Sequence, residues 1–477
     1  MTIHHEIVAL IQKEWPTKKA FSDELKAQGE IVLFIDAAMF CHRAVAPPGV
    51  HFSGIAYLDQ VFLKTVKSMK NDGIKAIIVI MDISSLVPNE KKATQEKRKH
   101  GRQHIESYPH GSTFTEGGIV LPDGTLVSVQ PDRLMSTPGM RHQIMRVAEQ
   151  VIATNALYSP PTGCCVIFDY ELEGPTAITN NAAVVVGTGT VADNCVRMKQ
   201  HKRPPGYGEA DKAIGYWIRV PEFSKYPVVA ASDDGDWIIV LAMMAHATGR
   251  HDIFIERSRL QAAETKSEEP ASKKQKKSEL YPAAKPERVR AKYYLNLHQM
   301  VDIITKEMKW DMTAFCLATV MCGTDFIEKN TITNYISTNT VIRAVLTYCK
   351  QRVVRVQDVL DHEEPFKELL SLVYQTHLSE PRGKATTACR YKMGLLRYTD
   401  TLVAASAKAS LKMPNDNINK VHALIKFNVE YWGTGWRLDP VPGLTDFHLA
   451  SDACGSKAEA GGDHAAAASS SSAVEEF

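Results

Sequence analysis

Apolar positions in this chain occur in two forms. One is the short unbroken run. Positions 31–35 are Ile-Val-Leu-Phe-Ile, 76–81 are Ala-Ile-Ile-Val-Ile-Met, 164–168 are Cys-Cys-Val-Ile-Phe, 228–231 are Val-Val-Ala-Ala, and 253–255 are Ile-Phe-Ile. Runs of this length, apolar on both sides of the chain, predict strands buried on both faces, as in a parallel sheet. A further short run at 183–186 is strand-like as well. In the other form, apolar residues return every three or four positions, which predicts helices at 58–69, 140–153, 314–321, 332–350 and 421–431. Ile7, Leu10, Ile11 and Trp15 share one side of a helical stretch over 7–25, before Pro16 breaks it. A helix over 356–373 is expected to break or kink near Pro365. Strand–helix–strand alternation of this kind predicts an α/β fold, with a mostly parallel sheet and right-handed crossovers.

Polar and low-complexity stretches divide the chain. Residues 104–133, rich in Gly, Ser, Thr and Pro, read as a loop or small hairpin insertion. Residues 262–290 are dominated by Lys, Glu, Ser, Pro and Ala without apolar periodicity, and read as a disordered insertion. Residues 451–477 end in an Ala/Ser tract and read as a disordered tail. The expected organisation is a core over 1–348, a helical region over 349–450 and the tail.

Composition narrows the class. At 477 residues and 44% hydrophobic, the chain can bury a large core. A net charge of +2 excludes a uniformly basic coat, but not a basic channel beside an acidic site. Nine scattered cysteines without a Cys-x-x-Cys pair fit neither a zinc site nor a disulfide framework, so a reducing, intracellular setting is expected. His4, His5, Glu6, Lys13 and Glu14 make the start unlike a signal peptide, and no apolar run approaches the length of a membrane span.

Carboxylates punctuate the apolar runs. Asp36 and Asp82 end the first two strands, and Asp233, Asp234 and Asp236 follow Ala231 at the end of another. Ligands of open α/β sheets bind just beyond the carboxyl ends of strands. Carboxylates this close repel one another, so one takes up a proton unless a cation compensates them. An ordinary acidic loop is the alternative. Glu209 and Asp211 open a helix, where acids also serve simply as favourable N-terminal charges. With Asp325 after the 314–321 helix, the acids form a series of hard oxygen donors suited to two Mg²⁺ or Mn²⁺ ions. Residues 88–102 form a basic helix carrying Lys91, Lys92, Lys97, Arg98 and Lys99, either a solvated face or a phosphate holder. Lys273, Lys274, Lys276 and Lys277 form either a nuclear localisation signal or a solubilising linker.

Five segments in order, Phe34-Ile35-Asp36-Ala37-Ala38-Met39, Ile80-Met81-Asp82, Gly208-Glu209-Ala210-Asp211, Ser232-Asp233-Asp234-Gly235-Asp236 and Cys322-Gly323-Thr324-Asp325-Phe326, resemble the acidic motifs of the 5′ nuclease superfamily. That group comprises the flap endonuclease/XPG nucleases and the Xrn exoribonucleases. The resemblance spans about residues 1–348 and implies a PIN-like α/β core, its mostly parallel sheet flanked by helices. It further implies that Asp36, Asp82, Glu209, Asp211, Asp234, Asp236 and Asp325 hold two Mg²⁺ (or Mn²⁺) ions for phosphodiester hydrolysis. Lys91 and Arg98 match the catalytic basic residues that hold the scissile phosphate. Together with Gln95 and Lys99 they have the spacing of the Xrn branch's 5′-monophosphate site. The segment 136–140 is also similar to an Xrn segment. Departures are Asp211 where glutamate is usual, no glycine at position 2, and an Asn330–Ser337 stretch without the glycines of a duplex-gripping helix–two-turn–helix. The chain is also shorter than typical Xrn enzymes.

The resemblance implies a nucleic-acid partner, either DNA with a 5′ end or flap or 5′-monophosphate RNA. Chain length and the Lys run favour a DNA flap endonuclease or 5′ exonuclease, and a nuclear over a cytoplasmic location. An Xrn-like 5′→3′ exoribonuclease is the alternative. A catalytically silent scaffold would be expected to have lost acids that this chain retains. A phosphatase with an aspartate nucleophile would need an Asp-x-Asp pair where this chain has Asp36-Ala37-Ala38. No membrane partner is expected, and the sequence names no protein partner.

Overall fold

The computed structural model describes residues 29–43, 52–87, 106–180, 195–204, 207–262, 288–307, 309, 311–322, 338–352 and 354–379, with short pieces between 422 and 430. Its centre is an eight-stranded sheet in which, by first residue, the strands lie in the order 288, 253, 228, 31, 74, 165, 176 and 195. The strands are β1 (Ile31–Asp36), β2 (Ile74–Ile80), β6 (Cys165–Asp169), β7 (Thr176–Thr179), β8 (Cys195–Arg197), β9 (Val228–Ala231), β10 (Ile253–Ala262) and β11 (Arg288–Asn296). The middle five, β10, β9, β1, β2 and β6, are parallel; β11 pairs antiparallel with β10 at one end, and β7 with β6 and β8 with β7 at the other. This is the mostly parallel α/β sheet that the apolar runs predict.

The apolar runs form the strands because both faces are covered. Leu33 and Ile35 of β1, Ile77 and Val79 of β2, and Val166 and Phe168 of β6 share one cluster with Tyr57, Phe62, Ile144, Val151 and Ile152. The alternate residues Phe34, Ile78, Ile167 and Ala230 are as fully buried, and strand alternation turns them to the opposite face. Single large apolar side chains of this kind each contribute about 1.5–3 kcal/mol when removed from water.

The chain leaves β1 towards β2 and β6 on one side, then returns to lay β9 and β10 on the other. The order therefore reverses between β1 and β9. Crevices at such a reversal, outside the carboxyl ends of the strands, are where open α/β sheets bind ligands.

Several elements differ from the sequence reading. The helical stretch at 58–69 begins earlier, at Gly54, capped by the Ser53 side chain, and loosens to a π-helical turn over Asp59–Leu63 before continuing to Ser68. The 104–133 insertion is an antiparallel meander of β3 (Thr113–Thr115), β4 (Gly118–Val120) and β5 (Leu126–Val127), followed by a Pro131–Ser136 helix. β7 and β8 carry no apolar signal strong enough to mark them. Strand β10 runs on to Ala262, and β11 begins at Arg288, paired with it. The break near Pro365 falls at His362, between the helices Val356–Asp361 and Glu363–Ser379, with Pro365 in the first turn of the second. There its missing N–H removes no helical bond. The readings over 7–25, 88–102 and 183–186 lie outside the described residues. No helix among the described residues is long and apolar enough to cross a membrane.

Candidate carboxylate centre

Asp36 is the last residue of β1 and is 4% exposed. Its carboxylate accepts a bond from the Met39 amide at 3.2 Å and from the Ser232 hydroxyl at 2.9 Å. Ser232 directly follows β9, so the two sides of the strand-order reversal are joined at this point. Burial pushes the Asp36 carboxyl up to about 7, and the charges of Asp234 and Asp82 push the same way. Two of the acids singled out in the sequence, Asp234 and Asp82, thus act on Asp36 through their charges.

Asp82 does not end its strand, as the sequence reading had it. β2 stops at Ile80, where its pairing with Asp36 ends, and Asp82 lies two residues beyond. Its Oδ1 accepts from the Ala210 amide at 2.9 Å, which ties the β2 end to the loop carrying Glu209. The adjacent Ile83 amide donates to the Gly208 carbonyl at 2.8 Å.

Asp234 and Asp236 also lie past their strand, which closes at Ala231. Asp234 is the N-cap of the Gly235–Thr248 helix, its Oδ1 accepting from the Asp236 amide at 3.2 Å. Asp236 stands in the first turn, where the helix dipole favours its charge. Between strand and cap, the Arg257 guanidinium donates to the Asp233 carbonyl at 2.6 Å and holds the acidic loop against β10.

Glu209 and Asp211 open the Ala210–Ile218 helix, as the spacing predicts. Glu209 takes the N-cap position in extended backbone, yet its carboxylate does not cap the helix. Both acids are buried, and next to them lies Lys212, 1% exposed. Burial pulls the Lys212 ammonium down to about 8, against the opposing pull of Asp211 and Glu209. Lys212 has no counterpart in the sequence reading, and a lysine in a helical first turn gives no signal by itself.

A second missed group holds this geometry together. Asp169 ends β6 as Asp36 ends β1, but its charge is met by Arg203 in a fully buried pair at 2.8 Å, and the Trp217 indole donates to the same oxygen at 2.6 Å. Arg203 also donates to the carbonyls of Met81, Asp169 and Gly208. One guanidinium thus clips the ends of β2 and β6 to the residue before Glu209. A Cβ at Gly208 would lie 2.4 Å from the Leu86 backbone, so only glycine lets these segments approach.

The donor set is one of carboxylate oxygens, which suits a hard divalent cation. Among the described residues, however, no three His, Cys, Asp or Glu side chains come together as one ion-holding group. The structure brings Asp82 and Asp234 each within electrostatic reach of Asp36, and places Glu209 at the loop–helix junction tied to Asp82, with Asp211 in the first turn beyond it. Asp325, Lys91, Gln95, Arg98 and Lys99 lie outside the described residues.

The fold is thus an α/β one, a mostly parallel sheet flanked by helices, as expected of a PIN-like core, with Asp36, Asp82 and Asp234 near its reversal point. No protein-family model matches the chain, and no curated protein matches it. Among solved structures it is similar to the catalytic core of Rad2 in complex with DNA substrate. That similarity has 12% identity and a TM-score of 0.32, and covers 83% of this chain and 80% of the other. So slight a likeness leaves the functional reading to rest on this chain's own residues.

Proposed function

We propose that this chain is a divalent-metal-dependent 5′ nuclease that hydrolyses phosphodiester bonds of nucleic acid, with DNA bearing a 5′ flap or end as its substrate. The observation that carries the reading is the buried Asp36 at the β1–β9 reversal, with Asp82 and Asp234 raising its affinity for a proton. Such a surplus of buried negative charge is unfavourable by itself and favourable around a cation. Asp36, Asp82, Asp234, Asp236, Glu209, Asp211 and Asp325 are the residues that would hold two Mg²⁺ or Mn²⁺ ions. Ions so held supply charge neutralisation of the phosphodiester and activation of water.

The chain's own contribution is orientation. Ser232 fixes the Asp36 carboxylate, and the Ala210 amide fixes that of Asp82. Arg203 keeps the Glu209 loop against the strand ends. Lys212 offsets part of the charge of Glu209 and Asp211. By the family resemblance, Lys91 and Arg98 would steady the scissile phosphate. A second reading, an Xrn-like 5′→3′ exoribonuclease, is favoured by the spacing of Lys91, Gln95, Arg98 and Lys99. The Lys run at 273–277 supports a nuclear location under the first reading.

The test uses the full chain with Mg²⁺ and two 5′-labelled substrates, a DNA 5′ flap and a single-stranded RNA with a 5′-monophosphate. Release of the intact flap, abolished by Asp234→Ala, is the expected result. Mononucleotide release from the RNA would favour the second reading instead. Binding without cleavage of either, in Mg²⁺ and in Mn²⁺, would overturn both.

A further inference from the structure

Beside the carboxylates, one strand further along the same edge, lies a cavity of about 560 Å³. Ile83, Ser84 and Ser85, which continue the chain from Asp82, form one side. Residues 170–173, which continue from the end of β6, form another, and His142 and Arg146 of the Met140–Thr154 helix close it. Because β2 and β6 are parallel neighbours, the cavity and Asp82 lie at the same edge of the sheet. Neighbouring strands are about 5 Å apart, so the cavity is within a few strand spacings of the carboxylates.

The lining pairs an apolar side with a cationic one. Leu172 is 39% exposed although large and apolar, and the His142 ring stands edge-to-face on Tyr170 at 6.0 Å. Partial burial and the charges of Arg146 and Arg141 push the His142 imidazole down, towards its neutral form, against the pull of Glu171. A neutral ring and an exposed Leu suit the face of a nucleobase, which stacks without regard to sequence. Arg146 is 73% exposed, and its ion pair with Glu171 at 3.6 Å is too long for a hydrogen bond. Glu171 is held closely by Arg197 instead, at 2.7 Å. The guanidinium of Arg146 therefore keeps donors for a phosphate, next to the exposed hydroxyls of Ser84 and Ser85. Glu173 is the acid at the mouth with no ion pair among the described residues.

We propose that this cavity is a nucleotide subsite: it holds, by base and phosphate, a unit of the strand adjacent to the phosphodiester at the carboxylate centre. The inference rests on the nuclease reading for its substrate class, but not on cleavage. Arg146 contacts phosphate, while Leu172 and His142 contact the base.

The experiment measures binding of fluorescent oligothymidylate to the full chain in EDTA by anisotropy, so that no turnover is required. Arg146→Glu should weaken binding about tenfold and reduce its salt dependence by about one phosphate contact. Glu173→Gln should tighten it two- to threefold, a gain that general damage to the fold cannot mimic. Arg355→Glu, at an 82% exposed arginine remote in sequence from the cavity, should leave binding unchanged. Unaltered binding in Arg146→Glu and Glu173→Gln would overturn the subsite, even if the unaltered chain cleaves. Lost binding in Arg146→Glu with gained binding in Glu173→Gln would uphold it, even if no cleavage is ever found. No binding by the unaltered chain would remove it.

Discussion

The hydroxyl of Ser232 donates to the carboxylate of Asp36 at 2.9 Å, and accepts the amide of Asp234 at 3.1 Å. Residues 196 positions apart are thereby locked across the β1–β9 reversal. A hydrogen bond to a charged group contributes about 1.5–3 kcal/mol. Ser232→Ala should lower stability by about that amount in urea denaturation at pH 8, where Asp36 is ionised. It should also raise the Mg²⁺ concentration needed for half-maximal cleavage. An unchanged metal requirement would deny Ser232 its orienting role.

Asp36 makes stability depend on pH in an unusual direction. Its carboxyl moves from an ordinary 3.8 in the unfolded chain to about 7 in the folded one, through burial and then through Asp234 and Asp82. Between these values the folded state binds more protons than the unfolded state, so stability falls as pH rises. The contribution is complete below pH ~4, is lost progressively up to pH ~7, and changes no further above that. Thermal melts in EDTA should show the unaltered chain losing ground to Asp36→Asn across this window. Parallel melting curves for the two proteins at every pH would contradict the assignment.

The Arg203–Asp169 pair separates folding from positioning. Removing one partner of a buried pair costs about 3–5 kcal/mol, whereas replacing both with apolar residues of similar size is often tolerated. Arg203→Met alone should therefore be strongly destabilising, and Arg203→Met with Asp169→Leu should recover part of that loss in urea melts, since the Trp217 indole and the Met81 and Gly208 carbonyls still lose their partners. The double variant lacks the bonds to Met81 and Gly208, so its cleavage should stay low while its fold returns. Full activity in the double variant would reduce the clip to a purely structural feature.

Gly208 tests the same junction from the backbone. An added methyl meets the Leu86 backbone at 2.4 Å, and overpacking of this kind costs about 1–3 kcal/mol. Gly208→Ala should lower Tm and depress cleavage, through displacement of the Glu209 loop from Asp82. A variant with unchanged Tm would show that the two segments can part at little cost.

The sheet was legible because burial on both faces leaves an unmistakable mark: β1, β2, β6 and β9 are built mainly of Ile, Val, Leu, Phe and Ala. Strands β7 and β8 were not, since Thr176–Thr179 and Cys195–Arg197 are short and polar in part. Of the acids, Asp36, Asp82, Glu209, Asp211, Asp234 and Asp236 could be picked out by their place after apolar runs or before a helix. Position at a strand end was not sufficient. Asp169 has the same place as Asp36, yet its charge is spent on Arg203 and Trp217, partners 34 and 48 residues away. Pairing at that range depends on tertiary contact, and no local pattern announces it. Ser232 and Lys212 were missed for the same reason: a serine and a lysine acquire meaning here only from what the fold sets beside them.

The most direct measurement is Mn²⁺ binding by electron paramagnetic resonance, on the unaltered chain and on Asp36→Asn and Asp234→Asn. It requires neither substrate nor turnover. If the carboxylates at the reversal point form a cation centre, the unaltered chain binds Mn²⁺ saturably, and each substitution weakens that binding at least tenfold. Equal Mn²⁺ binding in all three proteins, each folded by circular dichroism, would contradict the account.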